Sequence, residues 1–79
     1  MSNHVIVYSA KGCKDCEYVK EYLKQEEIAF EVRDIMAKPE YQQEVEKFGF
    51  MGIPVTALGN KAVKGFNPME IKKLIDTAE

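Results

Sequence analysis

An apolar segment runs directly into a cysteine pair over residues 5–16, where the sequence is VIVYSAKGCKDC. The run at 5–8 is β-branched, aromatic and apolar on both faces, which is typical of a central buried strand. From Cys13 to about Glu26 apolar residues recur at helical spacing and the opposite face is charged, which predicts a helix. Cys13 and Cys16 are therefore expected at the N-terminus of a helix that follows a buried strand.

The spacing of Cys13 and Cys16, with two residues between them, is that of a reversible intramolecular disulfide. A helix N-terminus offers free backbone N–H groups and the positive end of the helix dipole, and both favour a thiolate. Lowering a thiol pKa by ~2 units requires roughly 2.7 kcal/mol of preferential thiolate stabilisation. The dipole supplies about 0.3–1 kcal/mol, up to ~2 when partly buried, so direct N–H contacts or nearby lysines must supply the rest. Redox chemistry is the first hypothesis.

Length and composition restrict the class of protein. The chain has 79 residues, 46% hydrophobic and 30% charged, as expected for one soluble globular domain over 1–79. Two cysteines are too few for a disulfide-stabilised secreted fold. Residues 1–4 lack the features of a signal peptide, and the longest apolar run is too short to cross a bilayer. A reducing cytosol is the expected compartment, and a net charge of −2 gives no reason to expect nucleic acid.

A second strand and a second helix are predicted after the cysteine segment. Over residues 28–34 apolar side chains occupy every second position, up to Val32, which predicts a strand with one face in the core and the other solvated. Pro39 is tolerated in the first turn of a helix, and Gly49 is a suitable residue just beyond its end. The buried face of this helix is expected to consist of Tyr41, Val45 and Phe48.

The last part of the chain predicts a hairpin and a third helix. Two short strands, at 55–58 and 61–64, flank a Gly-Asn pair suited to a two-residue turn. Asn67 is predicted to cap the third helix, with Pro68 in its first position and Glu70 reaching back to the cap. The buried stripe of this helix is expected to consist of Ile71, Leu74, Ile75 and Ala78.

The predicted order β-α-β-α-β-β-α defines an α/β fold. Two strands separated by a helix should be parallel with a right-handed crossover, and the hairpin adds antiparallel strands. A four-stranded mixed sheet flanked by three helices, with helices on both faces, is the minimal thioredoxin-like architecture.

The chain resembles the glutaredoxin family over nearly its whole length. The resemblance rests on three segments and their mutual spacing: VYSAKGCKDC at 7–16, GIPV at 52–55 and KGFNP at 64–68. It implies a thioredoxin fold and a thiol–disulfide oxidoreductase that reduces protein disulfides. No metal and no bound cofactor are implied besides a redox-active Cys13–Cys16 disulfide, and a monomer is expected.

The resemblance also implies roles for particular residues. Cys13 matches the family's exposed nucleophile and Cys16 its resolving thiol. Pro54 matches a cis-proline whose loop faces the cysteines, and Ile53 before it offers backbone groups to an extended substrate. Gly65 matches a glycine that lets the backbone pack close to the site. The expected substrate-binding residues are Lys11, Ile53, Pro54, Gly65, Phe66 and Asn67.

The chain departs from typical glutaredoxins where they bind glutathione. Lys14-Asp15 replaces the usual Pro-Tyr pair, and Ala10 stands where a lysine often binds a glutathione carboxylate, with Lys11 one residue closer. Residues 64–67 replace a Gly-Gly-x-Asp segment. The Gly-Phe-x-Pro sequence is instead similar to NrdH-redoxins, which thioredoxin reductase reduces, although Val63 stands where those proteins typically carry tryptophan. The reductant is therefore either glutathione or NADPH with thioredoxin reductase.

Three functions follow, in order of preference. The first is a dithiol reductant of protein disulfides, such as an electron donor to ribonucleotide reductase. The second is a glutathione-dependent glutaredoxin that resolves glutathione mixed disulfides. The third is an iron–sulfur or metal carrier in which Cys13 from two chains shares a cluster. Mononuclear zinc within one chain is disfavoured because His4, near the terminus, is the only histidine.

Several side chains near the predicted site have two interpretations. Phe66 is either a platform for substrate or a packing residue between the fourth strand and the third helix. Tyr8 either approaches the site or fills the core. Lys11, Lys14 and Lys64 either attract an acidic partner or form a solvated surface.

Overall fold

The chain forms a mixed sheet with helices, in the predicted order. A computed structural model describes residues 4–76. In this range the elements are β1 (Val5–Ser9), α1 (Lys14–Gln25), β2 (Phe30–Asp34), α2 (Pro39–Lys47), β3 (Val55–Leu58), β4 (Lys61–Lys64) and α3 (Pro68–Asp76). The sheet order is β2-β1-β3-β4, with β1 parallel to β2 and antiparallel to β3, and β4 antiparallel to β3. The predicted four-stranded mixed sheet is confirmed.

The sheet separates two apolar layers, and β1 contributes to both. Val7 and Tyr8 point to opposite faces and are both buried, which accounts for a strand without a polar face. The layer under α1 and α3 consists of Val5, Val7, Val19, Leu23, Leu58, Ile71 and Leu74, with Ile75 partly buried. The layer under α2 consists of Tyr8, Val45, Val55 and Ala57, with Tyr41 and Phe48 partly buried. Helices therefore cover both faces, as predicted.

The prediction for the faces of β2 was wrong at Val32, which is 45% exposed. The strand lies at the edge of the sheet, and α1 packs on β1 while α3 packs on β3 and β4, so neither helix covers its outer side. On the face of β2 that was predicted to be solvated, the Arg33 side chain instead contacts α2. The Arg33 guanidinium lies 2.7 Å from a Glu44 carboxylate oxygen and 5.3 Å from the centroid of the Tyr41 ring.

The third helix begins with the predicted cap, but without the reciprocal contact. The side-chain oxygen of Asn67 accepts the backbone N–H of Glu70 at 3.3 Å, and Pro68 is the first helical residue. The Glu70 carboxylate does not reach back to the cap, since it lies 3.8 Å from the Lys73 ammonium on the next turn. Ala78, predicted to belong to the buried stripe, lies outside the described residues.

Candidate active site

The two cysteines lie at the start of α1 and form a disulfide. Cys13 is the N-cap residue, with an extended backbone at φ −90° and ψ 109°, and its sulfur accepts the backbone N–H of Cys16 at 3.1 Å. Gly12, with φ +84°, turns the chain into the helix in a conformation that favours glycine. The helix begins one residue later than predicted, because Cys13 caps it rather than belonging to its first turn.

The two sulfurs have different environments. Cys16 is fully buried on the inner stripe of α1, whereas Cys13 is only partly buried. Of the two cysteines, Cys13 is the more exposed. When the disulfide is open, the free N–H groups of the first helical turn favour a negative charge on that sulfur.

The Ile53–Pro54 peptide bond is cis, and the proline lies at the same end of the sheet as the cysteine loop. Val55 pairs with Tyr8, so residues 52–54 lie beside the end of β1 from which the cysteine loop departs. The Pro54 carbonyl accepts the N–H of Gly65 at 2.7 Å. The sheet register thus brings together, at one end of the sheet, the three segments on which the family resemblance rests.

Gly65 and Asn67 hold the segment between β4 and α3. Gly65 has φ +83°, a conformation that favours glycine, and its N–H fixes this segment to the proline loop. The Asn67 side chain is occupied as the cap of α3. Between them, Phe66 is 40% exposed and belongs to neither apolar layer.

Phe66 contacts the helix that carries the cysteines. Its ring centroid lies 5.5 Å from that of Tyr18, at an interplanar angle of 42°. Tyr18 is itself 53% exposed, so the pair forms an aromatic surface between α1 and the segment after β4. No local pattern in the sequence marks Tyr18, since only the tertiary fold brings the two rings together. Met51, 90% exposed beside the proline loop, is likewise not marked by a local pattern.

Tyr8 lies on the side of the sheet opposite α1, so it does not join the cysteines. Its hydroxyl donates to a Glu44 carboxylate oxygen at 2.7 Å, and Arg33 donates to the same oxygen. Burial, together with the bond to Glu44, raises the pKa of Tyr8 to about 12. The hydrogen bond from Tyr8 lowers the pKa of Glu44, and that from Arg33 lowers it further. Tyr8 is therefore a core residue whose hydroxyl hydrogen-bonds to the ion pair between Arg33 and Glu44.

The remaining predicted residues lie on the surface of the site or away from it. Lys11 is exposed in the loop before the cysteines, and Ile53 is partly buried. His4 is exposed, and its Nε2 atom lies 2.6 Å from a Glu31 carboxylate oxygen. Within residues 4–76, no group of three or more potential ligands is placed to hold a metal ion. No helix in that part of the chain is long and apolar enough to cross a membrane.

Known proteins share both the sequence pattern and the structure. The glutaredoxin family model matches residues 5–63. The glutaredoxin-like protein NrdH of Lactococcus lactis subsp. lactis (strain IL1403) is 40% identical over 70 residues, covering 89% of this chain and 97% of that protein. The NrdH-redoxin structure from Escherichia coli matches with a TM-score of 0.82 at 25% identity, over 90% of this chain and 93% of that one. The glutaredoxin grx-1 structure from Archaeoglobus fulgidus matches with a TM-score of 0.76 at 33% identity, over 92% and 86%.

Proposed function

The chain belongs to the glutaredoxin family and is a thiol–disulfide oxidoreductase, and on that premise we propose that it reduces protein disulfides through Cys13 and Cys16. Members of this family use redox-active cysteines without a bound cofactor. The observation that carries the proposal is the difference between the two sulfurs at one helix start. Cys13 is accessible and accepts a backbone N–H, whereas Cys16 is fully buried behind it.

The proposed cycle transfers two electrons from the dithiol to the substrate. The Cys13 thiolate attacks one sulfur of the substrate disulfide, which breaks that bond and releases the other sulfur as a thiolate. Cys16 then loses its proton and attacks the sulfur of Cys13, which releases the second substrate thiolate and forms the Cys13–Cys16 disulfide. The reductant returns this disulfide to the dithiol. The helix start keeps the sulfurs within bonding reach throughout, since the two Cα atoms are 5.2 Å apart.

We assign substrate contacts to the surface around Cys13. The backbone of Ile53 has no hydrogen-bond partner among residues 4–76, so it can pair with an extended substrate segment. Phe66 offers an exposed ring in the segment after β4, and Lys11 offers an exposed charge in the loop before the cysteines. Pro54, Gly65 and Asn67 act by fixing the two loops, through the bond from Gly65 to Pro54 and the cap of α3.

We propose thioredoxin reductase with NADPH as the reductant, and ribonucleotide reductase as a candidate substrate. The 40% identity to a protein named NrdH supports this choice. The Escherichia coli relative is described as having a thioredoxin-like activity profile. The departures at Ala10 and over residues 64–67, where glutaredoxins bind glutathione, support it independently of the names.

One assay distinguishes this proposal from a glutathione-dependent glutaredoxin. Oxidised protein is supplied with NADPH and either thioredoxin reductase or glutathione with glutathione reductase, and NADPH consumption is followed with insulin as the disulfide substrate. We expect turnover with thioredoxin reductase and little with glutathione. Turnover with glutathione alone would contradict the assigned reductant, and no turnover in either system would contradict disulfide reduction itself.

A further inference from the structure

Lys64 ends β4 beside the loop that we assign to substrate binding. It pairs in the sheet with Val55, the residue after Pro54. Its side chain turns toward the proline loop, since its Cε and Nζ atoms lie 3.3 and 3.7 Å from the position that a Cβ on Gly52 would occupy. The ammonium group therefore lies over the backbone one residue before Ile53.

Gly52 provides the space for this approach. Its backbone does not have the positive φ that favours glycine elsewhere in the chain, so its conformation does not require a glycine. A side chain at this position would displace the end of Lys64 by a few tenths of an ångström. The missing Cβ thus allows the ammonium group to lie close to the loop.

The three segments that meet around Cys13 carry more lysines than acids, although the chain as a whole is negative. In residues 10–16, 51–55 and 64–67 the charged side chains are three lysines, Lys11, Lys14 and Lys64, and one acid, Asp15. None of these three lysines forms an ion pair within the described part of the chain. An approaching carboxylate therefore meets cations that are not already neutralised by a neighbour.

We propose that Lys64 selects disulfide substrates that carry a carboxylate side chain beside the reactive cysteine. The inference rests on the proposed function, because it takes the substrate to be an extended segment paired with Ile53. In this arrangement the reactive cysteine of the substrate faces Ile53, and the next residue of the extended segment, about 3.3 Å further along, lies near Gly52 and the Lys64 ammonium. A carboxylate there gains an ion pair, whereas a lysine is repelled.

The test uses pre-reduced protein in a single turnover, so that no reductase contributes to the rate. The substrates are three peptides that differ only in having Glu, Gln or Lys beside a cysteine joined in a disulfide to 2-mercaptoethanol. Release of the peptide thiol is measured for the wild type and for Lys64→Gln, Lys64→Glu and Lys61→Gln. The last variant is the matched control, because Lys61 is an exposed lysine at the opposite end of the same strand.

We expect the wild type to react about two- to fivefold faster with the Glu peptide than with the Gln peptide, the range for an exposed ion pair. The preference should disappear in Lys64→Gln, reverse toward the Lys peptide in Lys64→Glu, persist in Lys61→Gln and shrink with added salt. Equal wild-type rates with all three peptides, or an unchanged preference in Lys64→Gln, would overturn the role given to Lys64 and leave the proposed function standing. If the wild type reduces none of the peptides, the inference and the proposed function fall together.

Discussion

Cys13 and Cys16 differ at the level of single residues, and serine substitutions separate their roles. In Cys16→Ser the accessible sulfur remains but cannot be displaced from a mixed disulfide, so we expect the variant to accumulate covalent adducts with substrate. In Cys13→Ser the remaining thiol is fully buried, so we expect neither adducts nor turnover. Mass spectrometry under non-reducing conditions measures both outcomes. Disulfide reduction by Cys13→Ser would show that the roles are assigned wrongly.

Thr56 carries the buried side-chain polar atom that has no hydrogen-bond partner among residues 4–76. The residue is fully buried in β3, between Val7 and Val63 on the adjacent strands. Burial of an unpaired hydroxyl costs about 1–3 kcal/mol, and valine has nearly the same shape without that cost. We expect Thr56→Val to raise the free energy of unfolding in urea by about 1 kcal/mol. A loss of stability would mean that the hydroxyl is bonded in solution.

At the level of elements, α3 depends on a single side chain for its cap. Asn67 accepts the N–H of Glu70, and the Glu70 carboxylate does not supply a second capping bond. We expect Asn67→Ala to lower the free energy of unfolding by about 0.5–2 kcal/mol, and Asn67→Asp, which keeps an acceptor, to retain most of the stability. Urea unfolding of the two variants tests this. Equal losses in both would argue that the residue acts through something other than its capping oxygen.

The elements that could be predicted from sequence are those whose signals are local. Pro39 at the start of α2 and Gly49 just beyond its end, at φ +90°, are set by backbone conformation, which neighbouring residues determine. Val32 could not be placed, because its exposure depends on whether a helix from another part of the chain reaches over the edge strand. The alternation in β2 correctly indicated a strand, but it gave no information about which elements pack against each face of that strand.

The site likewise combines features that local sequence signals predict with features that depend on distant parts of the chain. The cysteine pair and the proline loop carry short motifs, and the resemblance to the glutaredoxin family implied that they face each other, whereas the order of elements alone does not fix the pairing of β1 with β3. The contact of Phe66 with Tyr18 and the position of the Lys64 side chain over Gly52 depend on residues that lie apart in sequence, so no local pattern could reveal them. Tyr8 had two open interpretations, and its place on the face of the sheet opposite α1, with its hydroxyl bonded to Glu44, decided between them.

At the scale of the whole molecule, Tyr8 joins the central strand to α2 through its bond to Glu44. Burial of its hydroxyl, together with that bond, raises its pKa and makes the stability of the protein depend on pH in the alkaline range. The pKa of Tyr8 is raised from 10.0 to about 12 in the folded protein, whereas the unfolded chain keeps the ordinary value. This contribution is complete below pH 10 and is lost as the pH rises toward 12. We expect Tyr8→Phe to be less stable than the wild type at pH 8, and the gap to narrow between pH 10 and 12.

Thermal unfolding across this pH range measures the effect, with Tyr18→Phe as the matched control. Tyr18 is an exposed tyrosine without a carboxylate partner in the described residues, so its variant should follow the wild-type pH dependence. A constant gap between Tyr8→Phe and the wild type from pH 8 to 12 would contradict the role given to this hydroxyl.

Alkylation of the reduced protein tests most directly whether the chain holds one reactive sulfur in front of a buried one. Iodoacetamide is added to the reduced native protein at pH 7, and each cysteine is quantified over time by peptide mapping. We expect Cys13 to be labelled about tenfold faster than the same cysteine in an unfolded peptide, and Cys16 to remain unlabelled until the protein is denatured. Labelling of Cys13 at the rate of the unfolded peptide, or of Cys16 before Cys13, would contradict the account.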